Sequence, residues 1–258
     1  MDTGPTFFSA DQIADERGAA ELLAVLDAEQ AVGIRGLVEP ARVRQALVRL
    51  AQRFTPADDT KTDLKSGASR PRDVPNYQRL MLGGHGEGDR NRTYFMRVFN
   101  NPAWADDLYG MRPVFASMAR LRNRLQGSPD GYCVEAPEAE VYTLSRIHQF
   151  PRGGGFMGEH ADSVAAEVPA RASIRNYAQL LLVMSQRGED FEVGGGYYVR
   201  DGRRVFYERW AEPGDVLVYN ARTRHGVQAV DPHRPRDLGS TAGRYSGLVT
   251  LYRSRGAA

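Results

Sequence analysis

Three short segments of this 258-residue chain carry residue types and spacings that could do chemistry. In Gly158-Glu159-His160-Ala161-Asp162 an imidazole and a carboxylate stand two residues apart. In extended backbone residues i and i+2 share a face, so both groups can reach one point. Far along the chain, the turn Pro213-Gly214-Asp215 feeds the apolar run Val216-Leu217-Val218-Tyr219, and His225-Gly226-Val227 then brings a second imidazole to the head of another strand. Two imidazoles and one carboxylate, with the remaining coordination positions open, suit a non-haem ferrous ion; a structural metal would want a closed shell. The third segment is Arg244-Tyr245-Ser246, again i and i+2, leading into Gly247-Leu248-Val249-Thr250-Leu251-Tyr252. The inward side of a sandwich is a costly place for an unpaired guanidinium, so Arg244 needs an anion. Its planar fork matches a carboxylate with two hydrogen bonds, and the Ser246 hydroxyl adds a third.

Each piece has a plainer reading when taken singly. A histidine with an acid two residues on is common, and His85-Gly86-Glu87 has the same spacing with nothing else to support it. His160 with Asp162 also reads as a surface hydrogen-bonded pair, and Arg244 as a strand-edge salt bridge. His148 reads best as a hydrogen-bonded sheet histidine. Gly194-Gly195-Gly196 is no phosphate cradle, because no helix follows it; a hairpin or bulge accounts for it better. The weight lies in the conjunction of the three segments.

The elements that must position them divide the chain in two. Ile13, Leu22, Leu23, Val25 and Leu26 mark a first helical stretch; Pro40 opens a second over 41–54, where Val43, Leu47, Leu50 and Phe54 recur at helical spacing. Residues 31–36 form a short strand between them. Residues 55–92 are rich in Asp, Lys, Gly, Pro and Arg without sustained period and read as a long surface excursion, with Met81, Leu82 and His85 in a candidate lid. Met111, Val114, Phe115, Met118, Leu121 and Leu125 give a third helix one apolar face. After Pro129 the chain breaks into short runs rich in Val, Tyr, Leu and Phe between Gly, Pro and Asp, predicting strands near 140–150, 177–184, 197–199, 205–207, 215–220, 226–230 and 246–253. Asp201-Gly202 makes a hairpin turn. The expected product is a single domain over 1–258, mainly β with buttressing helices: 1–130 mainly helical support and lid, 131–258 a sandwich or barrel core.

Composition bounds the function. Lys plus Arg number 34 against 32 for Asp plus Glu, so there is no electrostatic case for nucleic acid as a partner. Cys133 is alone, which excludes an intrachain disulfide and a Cys-rich zinc site and makes a reducing cytoplasm the expected home. The opening residues carry no basic region followed by an apolar run, and the longest apolar run, near Leu180, falls far short of the roughly 20 residues a bilayer needs, so no membrane partner is expected.

With these residues in view, the chain resembles the Fe(II)- and 2-oxoglutarate-dependent oxygenase superfamily, whose pattern is His-x-Asp, a distant His, then Arg-x-Ser on the last core strand. Here that pattern reads His160-Ala161-Asp162, His225 and Arg244-Tyr245-Ser246. The resemblance covers about 140–253 and implies a double-stranded β-helix, a cupin-like jelly roll. It implies Fe(II) held by His160, Asp162 and His225 as the catalytic centre, 2-oxoglutarate gripped through its far carboxylate by Arg244 and Ser246, and O₂ as oxidant. The implied reaction is a dioxygenase's: decarboxylation of 2-oxoglutarate to succinate and CO₂, coupled to oxidation, most simply hydroxylation, of an unactivated C–H bond of a small-molecule substrate, as in specialised metabolism. Desaturation, ring closure and epimerisation lie within the same chemistry. The stretch from His225 to Arg244 is longer than the family commonly shows, because the polar residues 231–240 intervene and leave Arg234 and Arg236 as rival anion partners. Asp162 disfavours the halogenating branch, and Thr250 disfavours the demethylase branch, which has a second Arg there. Tyr142, Leu144, Arg146, His148 and Phe150 share one strand face, so Tyr142 or Arg146 is placed to reach co-substrate or substrate; the same stripe also reads as core, with Arg146 snorkelling. Gln179, Tyr219 and Asn220 are further pocket candidates. A metal-dependent cupin-like isomerase or lyase without 2-oxoglutarate, and a noncatalytic jelly-roll binding module, are the alternatives.

Overall fold

The structure is a computed structural model, and it describes residues 3–59, 76–83, 94–138, 141–162 and 178–253. Twelve strands and three α-helices are described: β1 (Thr6–Ser9), α1 (Glu16–Glu29), β2 (Ala31–Arg35), α2 (Pro40–Arg53), β3 (Tyr77–Gly83), β4 (Tyr94–Asn100), α3 (Arg112–Gln126), β5 (Val141–Pro151), β6 (Gly155–His160), β7 (Ala178–Val183), β8 (Gly195–Arg200), β9 (Arg203–Val205), β10 (Val216–Asn220), β11 (His225–Val230) and β12 (Gly243–Arg253).

The strands run in the order β1-β2-β10-β7-β12-β5-β4-β6-β11-β8-β9, with β3 on β4. The layer β10-β7-β12-β5 and the layer β6-β11-β8-β9 are joined by β4, which pairs with both β5 and β6. Along the chain the core strands from β5 to β12 pass from one layer to the other, except that β8 and β9 form a hairpin within the smaller layer, which is the winding of a double-stranded β-helix. The fold is thus the mainly β jelly roll with buttressing helices that the sequence predicts.

Alternation of side chains decides what each face of the larger layer meets. Ile147, Leu180, Leu182, Val216, Val218, Tyr245 and Val249 point outward and bury against Leu22, Leu26, Val43, Leu50, Phe115 and Met118 of the three helices. Their neighbours Leu181, Val183, Leu217 and Tyr219 point inward and pack with Tyr198, Val205 and Tyr207 of the smaller layer. The helices begin where local chemistry starts them. The Asp15 carboxylate accepts from Gly18 N at 2.8 Å to cap α1, and Pro40 starts α2. Asp107 accepts from the Met111 and Arg112 amides at the head of α3. Removing the α1 cap with Asp15→Ala is expected to cost about 1 kcal/mol of stability by chemical denaturation; an unchanged midpoint would contradict the assigned cap.

Three sequence expectations need correction. The stretch 55–92 is not structureless throughout: after a 3-10 turn at Pro56–Asp58 it supplies β3, which pairs along its whole length with β4. Met81 and Leu82 lie on that strand, while His85 and Glu87 fall outside the described residues. The front part therefore contributes β1 to β4 as well as helices. Last, the strand expected over 205–207 stops at Val205, and Tyr207–Arg209 forms a 3-10 turn. A strand would send Tyr207 and Glu208 to opposite faces, whereas both turn inward to the same arginine. β6, which carries His160, also lies outside the expected strands; the remaining strand and helix bounds shift by a few residues only.

Candidate metal centre

The first two segments meet at one end of the barrel. His160 ends β6, His225 begins β11, and the two are register partners across neighbouring strands. Their ring centroids are 4.3 Å apart. The turn Pro213-Gly214-Asp215 sets β10 in place: the Asp215 carboxylate accepts from Glu212 N, and Gly214 has φ 104° against the Val38 carbonyl, where a side chain would collide. Tyr219 of β10 then lies against His225, with centroids 4.3 Å apart.

Backbone carbonyls fix which imidazole nitrogen is available. His160 Nδ1 is 2.8 Å from Gly158 O, and His225 Nδ1 is 2.9 Å from Thr223 O. A carbonyl only accepts, so Nδ1 carries the hydrogen in both rings, and Nε2 is the nitrogen that a metal would take. These Nε2 atoms face the Asp162 carboxylate, His160 at 3.9 Å from Oδ1 and His225 at 3.9 Å from Oδ2, beyond hydrogen-bond length. One ligand atom from each of the three residues falls within 4.8 Å of the others. Two imidazoles with one carboxylate are the donor set of an open ferrous site. The held Nδ1–H groups are the orienting contacts such ligands need. The residues present therefore fit the metal the sequence implied.

Arg244 is fully buried on the inward face of β12, and its anion comes from within the chain. Its Nε donates to Glu208 Oε1 at 2.5 Å, and one Nη donates to the Tyr207 hydroxyl at 2.6 Å. The other Nη lies 3.5 Å from Ser246 Oγ, the longest contact of the group, so the i and i+2 residues do share a face. Glu208 Oε2 accepts from Gly196 N at 2.7 Å. A Cβ on Gly196 would run into the Tyr207 hydroxyl and Arg244, which explains a glycine in β8 by close approach. Burial raises the Tyr207 pKa, against the lowering field of Arg244. Tyr207 and Glu208 are the functional candidates that sequence reasoning missed. The available signal was a lone acid in the aromatic run Phe206-Tyr207-Glu208-Arg209-Trp210 beside an arginine that required an anion.

The inward face of β5 carries the second group. Tyr142 stacks on Tyr252 of β12 at 6.1 Å and meets Trp104 edge-on at 5.8 Å. Arg146 donates to the Tyr252 hydroxyl at 2.7 Å. His148 is buried with its ring edge toward Phe150, and Gln179 donates to Thr250 Oγ1 at 3.1 Å. Asn220 ends β10, and its side chain accepts from the Arg222 and Thr223 amides of the turn that follows. The rival arginines go elsewhere: Arg234 pairs with Glu192 on the surface, and Arg236 lies over the Phe95 ring. A cleft of about 240 Å³ near Arg152, Asp190 and Tyr245 opens where β5 ends and β12 begins, away from the histidines.

No protein-family model and no curated protein matches the chain. Solved structures do. A 2OG-Fe(II) oxygenase family oxidoreductase from Burkholderia pseudomallei aligns at TM-score 0.51 and 17% identity, covering 99% of this chain and 98% of that one. A prolyl hydroxylase from Trichoplax adhaerens, in complex with a hypoxia inducible factor peptide fragment, gives 0.56 and 13% over 92% and 90%. A dioxygenase for auxin oxidation from Arabidopsis thaliana, in a binary complex with 2-oxoglutarate, gives 0.52 and 11% over 98% and 94%. At these identities the likeness is one of architecture, and it spans nearly the whole chain: the protein has the fold of the 2-oxoglutarate and Fe(II)-dependent oxygenases.

Proposed function

We propose that the protein is an Fe(II)- and 2-oxoglutarate-dependent dioxygenase that oxidises a C–H bond of a small organic substrate, most simply by hydroxylation, with succinate and CO₂ as co-products. The observation that carries this reading is the convergence of His160, Asp162 and His225 at one end of a barrel whose interior also holds a buried arginine. His160, Asp162 and His225 hold the metal, with the Gly158 and Thr223 carbonyls keeping both imidazoles aimed. Ferrous iron supplies the open coordination positions and the redox chemistry that no side chain has. Arg244 and Ser246 take the far carboxylate of 2-oxoglutarate: Glu208 anchors the guanidinium through Nε, leaving the Nη beside Ser246 the least engaged donor. Leu181, Val183 and Tyr198 wall the space and exclude water. Tyr142, expected to touch co-substrate, belongs in this reading to the aromatic wall of the same interior. The continuous run of hydrogen-bonded strands from β1 to β9 supports taking 1–258 as one domain. Among the similar structures one holds a peptide fragment and another is named for auxin oxidation, so the fold accommodates both sizes of substrate.

A second reading has one observation in its favour. Because Glu208 already gives Arg244 a carboxylate, a metal-dependent isomerase or lyase on the same barrel would have no need of 2-oxoglutarate. Arg244→Gln separates the two. The oxygenase reading expects 2-oxoglutarate affinity to fall roughly 30-fold or more, the loss of one charge-assisted contact, while Fe(II) affinity is unchanged. Wild-type protein that binds Fe(II) but not 2-oxoglutarate would leave the second reading standing. Protein that binds no metal with both histidines intact would leave only a binding module.

A further inference from the structure

Arg146 is an interior cation that neither reading uses. Across the eleven residues of β5 it is the one position that is not fully buried. Its Nε is nonetheless sealed from solvent and has no hydrogen-bond partner among the described residues. The fully buried arginines show how this chain settles such groups: Arg97 has Asp59 at 2.7 Å, Arg244 has Glu208, and Arg122 donates to the Asn123 amide oxygen and the Thr143 hydroxyl, so the guanidinium nitrogens meet acceptors inside the chain. Among the described residues no carboxylate pairs with Arg146; it has only the Tyr252 hydroxyl, with the Tyr252 ring 5.3 Å from its guanidinium carbon. A sealed donor without an acceptor is costly, and for a guanidinium the matching acceptor is a carboxylate.

Its place says which ligand would bring that carboxylate. The chain reverses between the end of β5 at Pro151 and the start of β6 at Gly155, and the same number of residues separates Arg146 and His160 from that reversal. Arg146 and His160 thus lie on successive strands of the barrel, both paired with β4. Burial disfavours its charge, but Tyr252, Tyr77 and Asp162 outweigh this, so its pKa is raised and the triad's carboxylate is within its field. Tyr77, Trp104 and Tyr252 are each half-buried around it, an aromatic rim with one face to solvent.

We propose that Arg146, backed by Tyr252, is the seat of a carboxylate carried by the organic substrate, so that the substrate is a small carboxylic acid whose apolar body lies along Trp104, Tyr142 and Tyr252. The assignment rests on the oxygenase reading, in which Arg244 takes the co-substrate. The shared chemistry is a carboxylate, and the test separates its two sources. Wild-type, Arg146→Gln and Tyr252→Phe proteins are loaded with Zn(II) and 2-oxoglutarate, and ligand-observed NMR follows a panel of aromatic and aliphatic monocarboxylic acids with their primary amides. In parallel, 2-oxoglutarate is titrated into each Zn(II)-loaded protein by calorimetry. The expected result is binding of acids over the matching amides by wild type, weakened at least tenfold in Arg146→Gln and less in Tyr252→Phe, with 2-oxoglutarate affinity unchanged. Loss of 2-oxoglutarate affinity in Arg146→Gln would hand the residue to the co-substrate and overturn the proposal. Amides binding as well as acids, acids binding Arg146→Gln as they bind wild type, or no acid binding at all would overturn it too. Wild type that fails to take up metal or 2-oxoglutarate fails the oxygenase reading instead, a distinct outcome visible in the titration alone.

Discussion

Asp162→Ala protein is expected to lose Fe(II) affinity by more than the roughly 10- to 100-fold that removal of a mere supporting partner costs a metal site. The reason is electrostatic as well as geometric. Asp162 is the only carboxylate of the triad, its two oxygens each face one imidazole nitrogen at 3.9 Å, and without it two neutral imidazoles remain to hold a dication. The metal-free variant should keep its stability within about 0.5 kcal/mol, because Asp162 lies past the end of β6, outside the ladder of strand hydrogen bonds. Equilibrium Fe(II) titration together with urea denaturation reads both quantities. Undiminished iron affinity would remove Asp162 from the site; a large loss of metal-free stability would make its role structural.

The second large effect concerns Glu208. Replacing it with alanine leaves the Arg244 guanidinium fully buried beside neutral hydroxyls and strips the acceptor from Gly196 N. Breaking one side of a buried ion pair typically costs about 3–5 kcal/mol, much of it the penalty of the charge left behind. Glu208→Ala should therefore be among the most destabilising single changes in the barrel. The double variant Glu208→Gln/Arg244→Gln, which buries no charge, should recover part of that loss. Denaturation midpoints of the two singles and the double give the coupling directly. Additive losses would mean that the pair is not the anchor of Arg244, and that the guanidinium settles on another group when Glu208 is gone.

These two variants also mark where the sequence was legible and where it was not. The residues of the candidate metal site were readable because extended backbone puts His160 and Asp162, two apart, on one face, and because a turn with Gly214 and Asp215 announces the strand before His225. The three helices were readable from apolar spacing and, for the second, from Pro40 at its start; the Asp15 cap of α1 came from the structure. Strand β3 was hidden because Tyr77–Gly83 is partly exposed at the edge of the sheet on β4, and so lacks the apolar density of a core strand. Glu208 was hidden for a different reason. Its role depends on a 3-10 turn that aims two consecutive side chains inward, and neither periodicity reports such a turn. The sequence points to an anion for Arg244 and assigns it to a co-substrate, whereas the chain meets the guanidinium first with its own carboxylate, a contact of long sequence separation that no local pattern encodes.

Anaerobic calorimetric titration of Fe(II) and then 2-oxoglutarate into the wild-type protein, alongside His160→Ala and His225→Ala, tests the metal centre most directly. One iron per chain should bind, 2-oxoglutarate should bind only once iron is in place, and both signals should vanish in each histidine variant. Iron taken up equally by the histidine variants, or no saturable uptake by the wild type, would contradict the assignment of His160, Asp162 and His225 as its ligands.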